Sequence, residues 1–339
     1  MKIKENFSLK EYNTFGINVS AKYFVEFNSV DEIMEFLKIK KYKNVPKLIL
    51  GGGSNILFTK DFDGIVIKIN NKGIDILKKE KEFVFVRAAA GEVWNDFVKY
   101  CLEKNYGGIE NLSLIYGNVG SGSVQNIGAY GVELKDVFHE LKAINIETHE
   151  IKRFSRAKCK FGYRDSILKN ELKNKFIVIS STFKLTSKNH LLFTKYGSIE
   201  NELESMGVKK PDIYTISQAI CSIRERKLPA PSEIGNGGSF FKNPFVDKNM
   251  FQYLQMKYPS IPYFEAKDNK IKIFAGWLIE QAGLKGMRIG DAGVHEEQAL
   301  VLVNYGKAKG NEILDLAKKI QKTVFEKFKI SMELEINVI

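Results

Sequence analysis

The chain has 339 residues, 44% of them hydrophobic and 12% aromatic, enough for two domains or slightly more at roughly 150 residues each. No apolar run approaches the roughly 18 residues of a membrane helix, and the opening MKIKENFSLKEYN lacks the apolar stretch of a secretory signal, so a cytoplasmic chain with no membrane partner is expected. The net charge of +12 suits phosphate-bearing ligands, but the lysines are scattered and no basic, aromatic-interleaved pattern marks a nucleic-acid binder, so none is expected as a partner.

KYFVEF (22–27) reads as a strand, and Ser29 with Glu32 three residues on forms a capping box for a helix over VDEIMEFLKIKK. PKLIL (46–50) is a short apolar run ending in GGGSN; GIVIKI (64–69) and FVFVRAAA (83–90) are rich in strand formers. GEVWNDFVKYCLEKN (91–105) repeats Val93, Phe97 and Cys101 at helical spacing. A long glycine-rich loop with little regular structure follows at 107–131. VFHELKAINI (137–146) and KFIVISSTFKL (175–185) return to strand, on either side of the polar FGYRDSILKN. Helices are expected at 215–227, 247–258 and 310–328, and strands at 299–304 and 331–339. The mixture is α+β or α/β, with no internal repeat.

Cys101, Cys159 and Cys221 are far apart and read as small buried hydrophobes. The four histidines are also dispersed. VHEEQ at 294–298 fails the HExxH zinc pattern because Ala299 stands where the second histidine belongs, so no metal is expected. LILGGGSN (48–55) and GNVGSGSVQNIGAYG (117–131) are two loops whose backbone N–H groups could converge on a phosphate. Ile56 breaks the dinucleotide fingerprint and the Walker pattern is absent. In GNGGSFFKNP (235–244), Ser239 follows two glycines and is either a turn residue or a reagent.

The motifs NTFGI (13–17), GGGSN (51–55), QNIGAYG (125–131), GYRDS (162–166), GNGGSFFKNP (235–244), GWLIEQAGLKG (276–286) and VHEEQALVLVN (294–304) stand in one chain in this order. Together they resemble the UDP-N-acetylenolpyruvoylglucosamine reductase (MurB) family, flavoenzymes of peptidoglycan synthesis, over residues 13 to the C-terminus. The resemblance implies an α+β fold. A two-part FAD-binding portion of the vanillyl-alcohol-oxidase-like (PCMH) type is expected at 1–70 and 71–209, with an α+β substrate domain at 210–339. It implies non-covalent FAD, NADPH as hydride donor and a monomer acting on a UDP-sugar. The reaction would take UDP-N-acetylglucosamine enolpyruvate to UDP-N-acetylmuramate, a precursor for the wall that governs cell shape and division.

Residue by residue, the resemblance makes Ser239 the proton donor, Arg164 the group that binds the carboxylate and developing enolate, and Glu335 a stabiliser of that enolate. Read alone, Arg164 would be a surface ion pair with Asp165, whereas a planar guanidinium fork also suits a carboxylate. In SMELEINVI, Ser331, Glu333, Glu335 and Asn337 share one face of an alternating strand, so Glu333 competes with Glu335. Asn337 stands where the family usually has arginine. Gly51, Gly53, Ser54, Asn55, Gly120, Ser121, Gln125, Asn126 and Gly128 would line the FAD. Tyr196, in an extra loop of the family's first type, Lys227, Asn243 and Gln298 would meet the substrate, with either Tyr263 or Phe264 at the diphosphate. Two other readings stand beside this one. An oxidase on the same fold would often carry a flavin-linking histidine, absent from both glycine loops, and a basic binding protein would rest on charge alone.

Overall fold

A computed structural model describes residues 1–266 and 268–339. The chain divides into two compact units. The first takes residues 1–7, 20–53 and 62–226; the second takes 8–19, 54–61 and 227–339.

The first unit holds two sheets. In Phe62–Ile69 the run GIVIKI (64–69) is buried except for Lys68, which is half-buried, as a strand with both faces covered requires. It lies between parallel neighbours Ser20–Phe27 and Lys47–Leu50, with Lys4–Ser8 at the edge. The helix Val30–Leu37 is capped as expected, Ser29 accepting from the Glu32 N–H at 3.2 Å. It stops at Leu37, short of the expected lysine-rich end, and Lys40–Tyr42 forms a separate 3₁₀ turn.

The second sheet is antiparallel, in the order Ile151–Ser155, Phe138–Asn145, Phe176–Thr186, Phe83–Ala89, Ile74–Lys79. Val84, Val86 and Ala88 alternate into its core against the helix Trp94–Glu103. That helix buries Trp94, Phe97, Val98 and Cys101. Val93 is not on the buried stripe as its spacing suggested. It is the extended N-cap residue, bridges to Asn118, and is 39% exposed.

The glycine-rich segment 107–131 also departs from expectation, because Val119–Gln125 is helical. Glycine disfavours a helix by roughly 1 kcal/mol per residue, so packing decides here. A Cβ at Gly120 would lie 2.7 Å from Ala90 Cβ, and Ser123 hydrogen-bonds Ser181 of the sheet at 2.7 Å. The helix Ile213–Lys227 buries Ile216, Ala219, Ile220 and Ile223 against Ile199 and Leu203 of Ile199–Ser205. It therefore belongs to the first unit up to Arg226.

In the second unit Gly235–Ser239, Val301–Asn304, Ala292–Val294 and Arg288–Ile289 form an antiparallel sheet in that order. The helix Gly310–Phe328 packs its apolar stripe on this unit's core. Phe245–Asp247, Lys270–Ile273 and Tyr263–Glu265 make a small sheet beside the helix Lys248–Lys257. The expected terminal strand 331–339 is mostly irregular. Only Asn337–Val338 pairs, parallel to Ile56–Leu57, and Leu334 bridges to Phe241. Cys101 and Cys159 are buried as expected; Cys221 is half-buried, and all three are free thiols.

Candidate active site

In the first unit the two glycine loops meet. A Cβ at Gly51 would lie 2.8 Å from Ser121 Oγ, and one at Gly52 would lie 2.7 Å from Gly117 Cα. Side chains there would push the loops apart, which is why glycine runs occupy both. Lys68 donates to the Gly51 carbonyl from beneath, and burial pulls its pKa down. Asn118 Nδ2 donates to the Gly91 carbonyl at 2.7 Å, while its buried Oδ1 has no partner among the described residues. A buried acceptor left open costs roughly 1–3 kcal/mol unless a ligand N–H or O–H fills it. The close-packed glycines and this open acceptor fit FAD, which brings both phosphates and hydrogen-bond donors.

Among the expected FAD residues, Gly51, Gly53, Gly120, Ser121, Gln125, Asn126 and Gly128 fall in the first unit, and Ser54 and Asn55 in the second. The Asn126 side chain is spent inside the protein. Its Nδ2 donates to Gly162 O at 2.8 Å and its Oδ1 accepts from Lys135 N–H at 2.9 Å. It braces QNIGAYG against GYRDS. Arg164, at φ 55°, donates to the Gly128 carbonyl, and a Cβ at Gly128 would lie 2.8 Å from Arg164 Nη1. A non-glycine residue in the left-handed region is uncommon and clusters at functional sites. Tyr196 packs on Gly131 and edge-on to Tyr130 at 6.4 Å. Burial raises its phenol to about 12, so it stays neutral and can donate.

In the second unit Ser239 ends its strand after a bulge. Asn236 pairs with Val303 and Ser239 with Val301, so Gly237 and Gly238 together oppose one residue, and Gly238 sits at φ 70°. Bulges of this kind re-aim the next side chain. The Ser239 hydroxyl makes no hydrogen bond among the described residues and is half-buried. Beyond it the chain runs antiparallel to the C-terminal segment. Glu335 N–H donates to Phe240 O at 2.9 Å, and Lys242 N–H donates to Glu333 O at 2.9 Å. Glu335 thus lies on the segment that pairs with the residues just after Ser239. Glu335 is only 9% exposed, whereas the Glu333 side chain is 77% exposed and ion-pairs with Lys242 at 3.1 Å. The strict alternation that put both carboxylates on one face is broken, because Glu335 and Ile336 are both buried. Asn55 Nδ2 donates to Glu335 O at 3.4 Å, joining it to this cluster.

Asn243 Oδ1 accepts from Ala275 N–H at 2.9 Å and fixes the start of the helix Ala275–Gln281. Gln298 Oε1 accepts from Leu300 N–H at 3.4 Å. Lys227 is exposed at a helix end. Tyr263 is 41% exposed with its ring 4.4 Å from that of Phe251, whereas Phe264 turns to Phe274 at 5.4 Å and lies under Lys272. Sequence reasoning passed over Asn118 and Asn236, polar side chains inside glycine-rich stretches. An asparagine beside glycines that must hold one conformation is the signal for such a clamp.

The fold and the paired glycine loops define an FAD-binding flavoprotein of the vanillyl-alcohol-oxidase-like type. Residues 21–155 match the model of an FAD binding domain, and p-cresol methylhydroxylase shares the fold at a TM-score of 0.51, with 12% identity over 97% of this chain and 84% of that one. Residues 230–339 match the C-terminal domain of UDP-N-acetylenolpyruvoylglucosamine reductase. The chain is 54% identical over its full length to the complete UDP-N-acetylenolpyruvoylglucosamine reductase of Flavobacterium johnsoniae. It is 44% identical over 338 residues to that of Pseudomonas syringae, covering 100% of this chain and 99% of the relative. The crystal structure of the Thermus caldophilus enzyme superposes with a TM-score of 0.69 at 22% identity, over 100% of this chain and 99% of that one. The chain belongs to the UDP-N-acetylenolpyruvoylglucosamine reductase family. That membership sets aside the readings as an oxidase or as a basic binding protein.

Proposed function

We infer that the chain reduces UDP-N-acetylglucosamine enolpyruvate to UDP-N-acetylmuramate with NADPH and FAD, a step of peptidoglycan precursor synthesis. The observation that supports its assignment of residues is the glycine bulge just before Ser239, on a segment whose next residue, Phe240, accepts the N–H of buried Glu335. FAD, held by the glycine loops at 51–53 and 120–128 and reduced by NADPH, would supply the hydride for the β-carbon of the enolpyruvyl group. Charge then gathers on the carboxylate-bearing carbon and its carboxylate. Arg164 offers that carboxylate a fixed fork of donors. Its left-handed backbone and its bond to Gly128 support a preorganised role. Ser239 delivers the proton to the α-carbon and regains one from solvent, so hydride and proton together saturate the double bond. Glu335, buried against the Ser239 strand, is the group we assign to the developing enolate; the exposure of Glu333 supports this choice.

Tyr196, Lys227, Asn243, Gln298 and Tyr263 are assigned to the substrate. The exposed phenol of Tyr263, against the inward turn of Phe264, supports Tyr263 at the diphosphate. Separate sheets within 4–69 and 74–186 support reading 1–70 and 71–209 as two parts of an FAD-binding portion, followed by a substrate domain. No helix among the described residues is long and apolar enough to cross a membrane. Nucleotide-activated substrate and NADPH are cytoplasmic metabolites, which supports a cytoplasmic enzyme; we read it as a monomer that engages no nucleic acid.

Ser239→Ala is the direct test. NADPH should reduce its flavin at nearly the parental rate, while reoxidation by the enolpyruvyl substrate slows by about two orders of magnitude or more. Normal reoxidation in stopped flow would remove Ser239 from the mechanism.

A further inference from the structure

The motif NTFGI lies more than two hundred residues from Ser239 in sequence, yet it underlies the serine's bulge within the second unit. Asn13 closes the motif into a loop. Its Nδ2 donates to Leu9 O at 2.8 Å and Ile17 O at 3.1 Å, and its Oδ1 accepts from Ile17 N–H at 2.9 Å. The loop's carbonyls then hold the serine's sheet. Asn236 N–H donates to Thr14 O at 2.9 Å, and Asn304 Nδ2 donates to Phe15 O at 2.9 Å. Phe15 is 1% exposed, and its ring meets Phe240 edge-on at 6.2 Å.

The decisive contact is at Gly237. A Cβ there would lie 2.7 Å from Phe15 Cε2 and 2.6 Å from Ile336 Cδ1. The space a side chain at the first bulge residue would need is therefore filled by a ring from the N-terminal motif and by the side chain that follows Glu335. The second bulge residue is tied by Asn236, whose Oδ1 accepts from Gly238 N–H at 3.0 Å. The Asn236 amide is itself anchored, donating to Ile234 O at 2.9 Å and Pro229 O at 3.1 Å. Backbone that could flex, two glycines in a row, is thus packed by Phe15 and Ile336 at Gly237 and hydrogen-bonded by Asn236 at Gly238, just before the hydroxyl.

We propose that Phe15 and Asn236 are positioning residues for the proton transfer: they lock the Gly237–Gly238 bulge so that Ser239 holds one orientation relative to Glu335. The proposal rests on the assignment of Ser239 as proton donor. Neither residue need touch the substrate. A donor displaced by an ångström can cost about a hundredfold in rate, so a loosened bulge acts on this one step.

The test uses the FAD-loaded enzyme, with rates per bound flavin. Phe15→Leu keeps an apolar side chain but removes the ring edge, and Ile336→Val trims the other side chain packed on Gly237. Both are expected to slow reoxidation by the enolpyruvyl substrate by roughly ten- to a hundredfold while flavin reduction by NADPH changes by less than about twofold. Asn236→Ala is expected to behave alike. A merely structural role would lower flavin content or melting temperature and leave the per-flavin ratio of the two half-reactions unchanged, and that outcome overturns the proposal. In a Ser239→Ala background Phe15→Leu should add almost nothing to the loss, since its effect is exerted through the hydroxyl; full additivity also overturns it. Should Phe15→Leu fail to fold, Ile336→Val and Asn236→Ala carry the same comparison. Normal reoxidation by Ser239→Ala alone would instead sink the assignment of the serine. Slow Ser239→Ala with unaffected Phe15→Leu, Ile336→Val and Asn236→Ala would sink only the positioning.

Discussion

Glu333 and Glu335 differ by one turn of the pleat in sequence and by their whole environment in space. Glu333 reaches solvent and pairs with Lys242, an exposed contact of the kind worth roughly 0–1 kcal/mol. Glu335 is held against the Ser239 strand by its own N–H. Glu335→Gln should therefore slow substrate-dependent flavin reoxidation by tenfold or more, while Glu333→Gln stays within about twofold; equal, mild losses in the two variants would remove the assignment. The sequence offered both carboxylates because period-2 alternation assigns faces only to a regular strand. Here the segment is regular only at Asn337–Val338, and the irregular backbone before it turns Glu335 inward. Likewise the motif GNGGSFFKNP alone left Ser239 as either a turn residue or a reagent, and the clamp of Asn236 on Gly238 shows only once the bulge is seen.

Among elements, those with a strong apolar period were legible: Val30–Leu37, Trp94–Glu103, Lys248–Lys257 and Gly310–Phe328 lie within a few residues of expectation. Val119–Gln125 was not, since four small residues in seven give no period and its stability comes from tight packing on the sheet. Another tertiary device joins the helices Ile199–Ser205 and Ile213–Lys227. Arg226 grips Glu202 with both guanidinium ends, Nη1 reaching Oε1 at 2.9 Å, and Ser222 donates to Oε1 at 2.7 Å. The hydrogen bonds from Arg226 and Ser222 pull the Glu202 carboxyl from the ordinary 4.5 down to about 2. Between those values the unfolded chain binds the proton and the folded one does not. Stability from this group is complete above pH 4.5 and is lost as pH falls toward 2. Glu202→Gln should flatten the dependence of melting temperature on pH across that window, with the two proteins converging at its acid end; parallel curves would show that the pair contributes no pH dependence.

For the whole molecule, the net charge of +12 acts at a distance on whatever approaches. Both NADPH and a UDP-sugar are polyanions, so the field should speed their encounter. We expect kcat/KM for each to fall several-fold as monovalent salt is raised from a few millimolar to near-physiological strength, with kcat much less affected. A salt-independent kcat/KM would mean that the scattered lysines confer solubility and no steering. The resemblance carried by motif order implied an FAD-binding portion and a C-terminal part, but the linear reading could not see that residues 8–19 and 54–61 fall in one compact unit with 227–339. Short excursions of this kind carry no boundary signal, being neither linkers nor changes in composition.

That interleaving bears on how such a protein can be inherited. A recombination event near residue 227 would transfer Ser239 and Glu335 in one piece and leave Phe15 behind in the recipient's N-terminus. The donor's bulge would then rest on a foreign ring, with only Ile336 travelling alongside Gly237. Changes at Phe15, Gly237 and Ile336 must suit one another although the gene keeps the first far from the other two, so Ser239's bulge and the ring packed on it descend together only when both ends of the gene do.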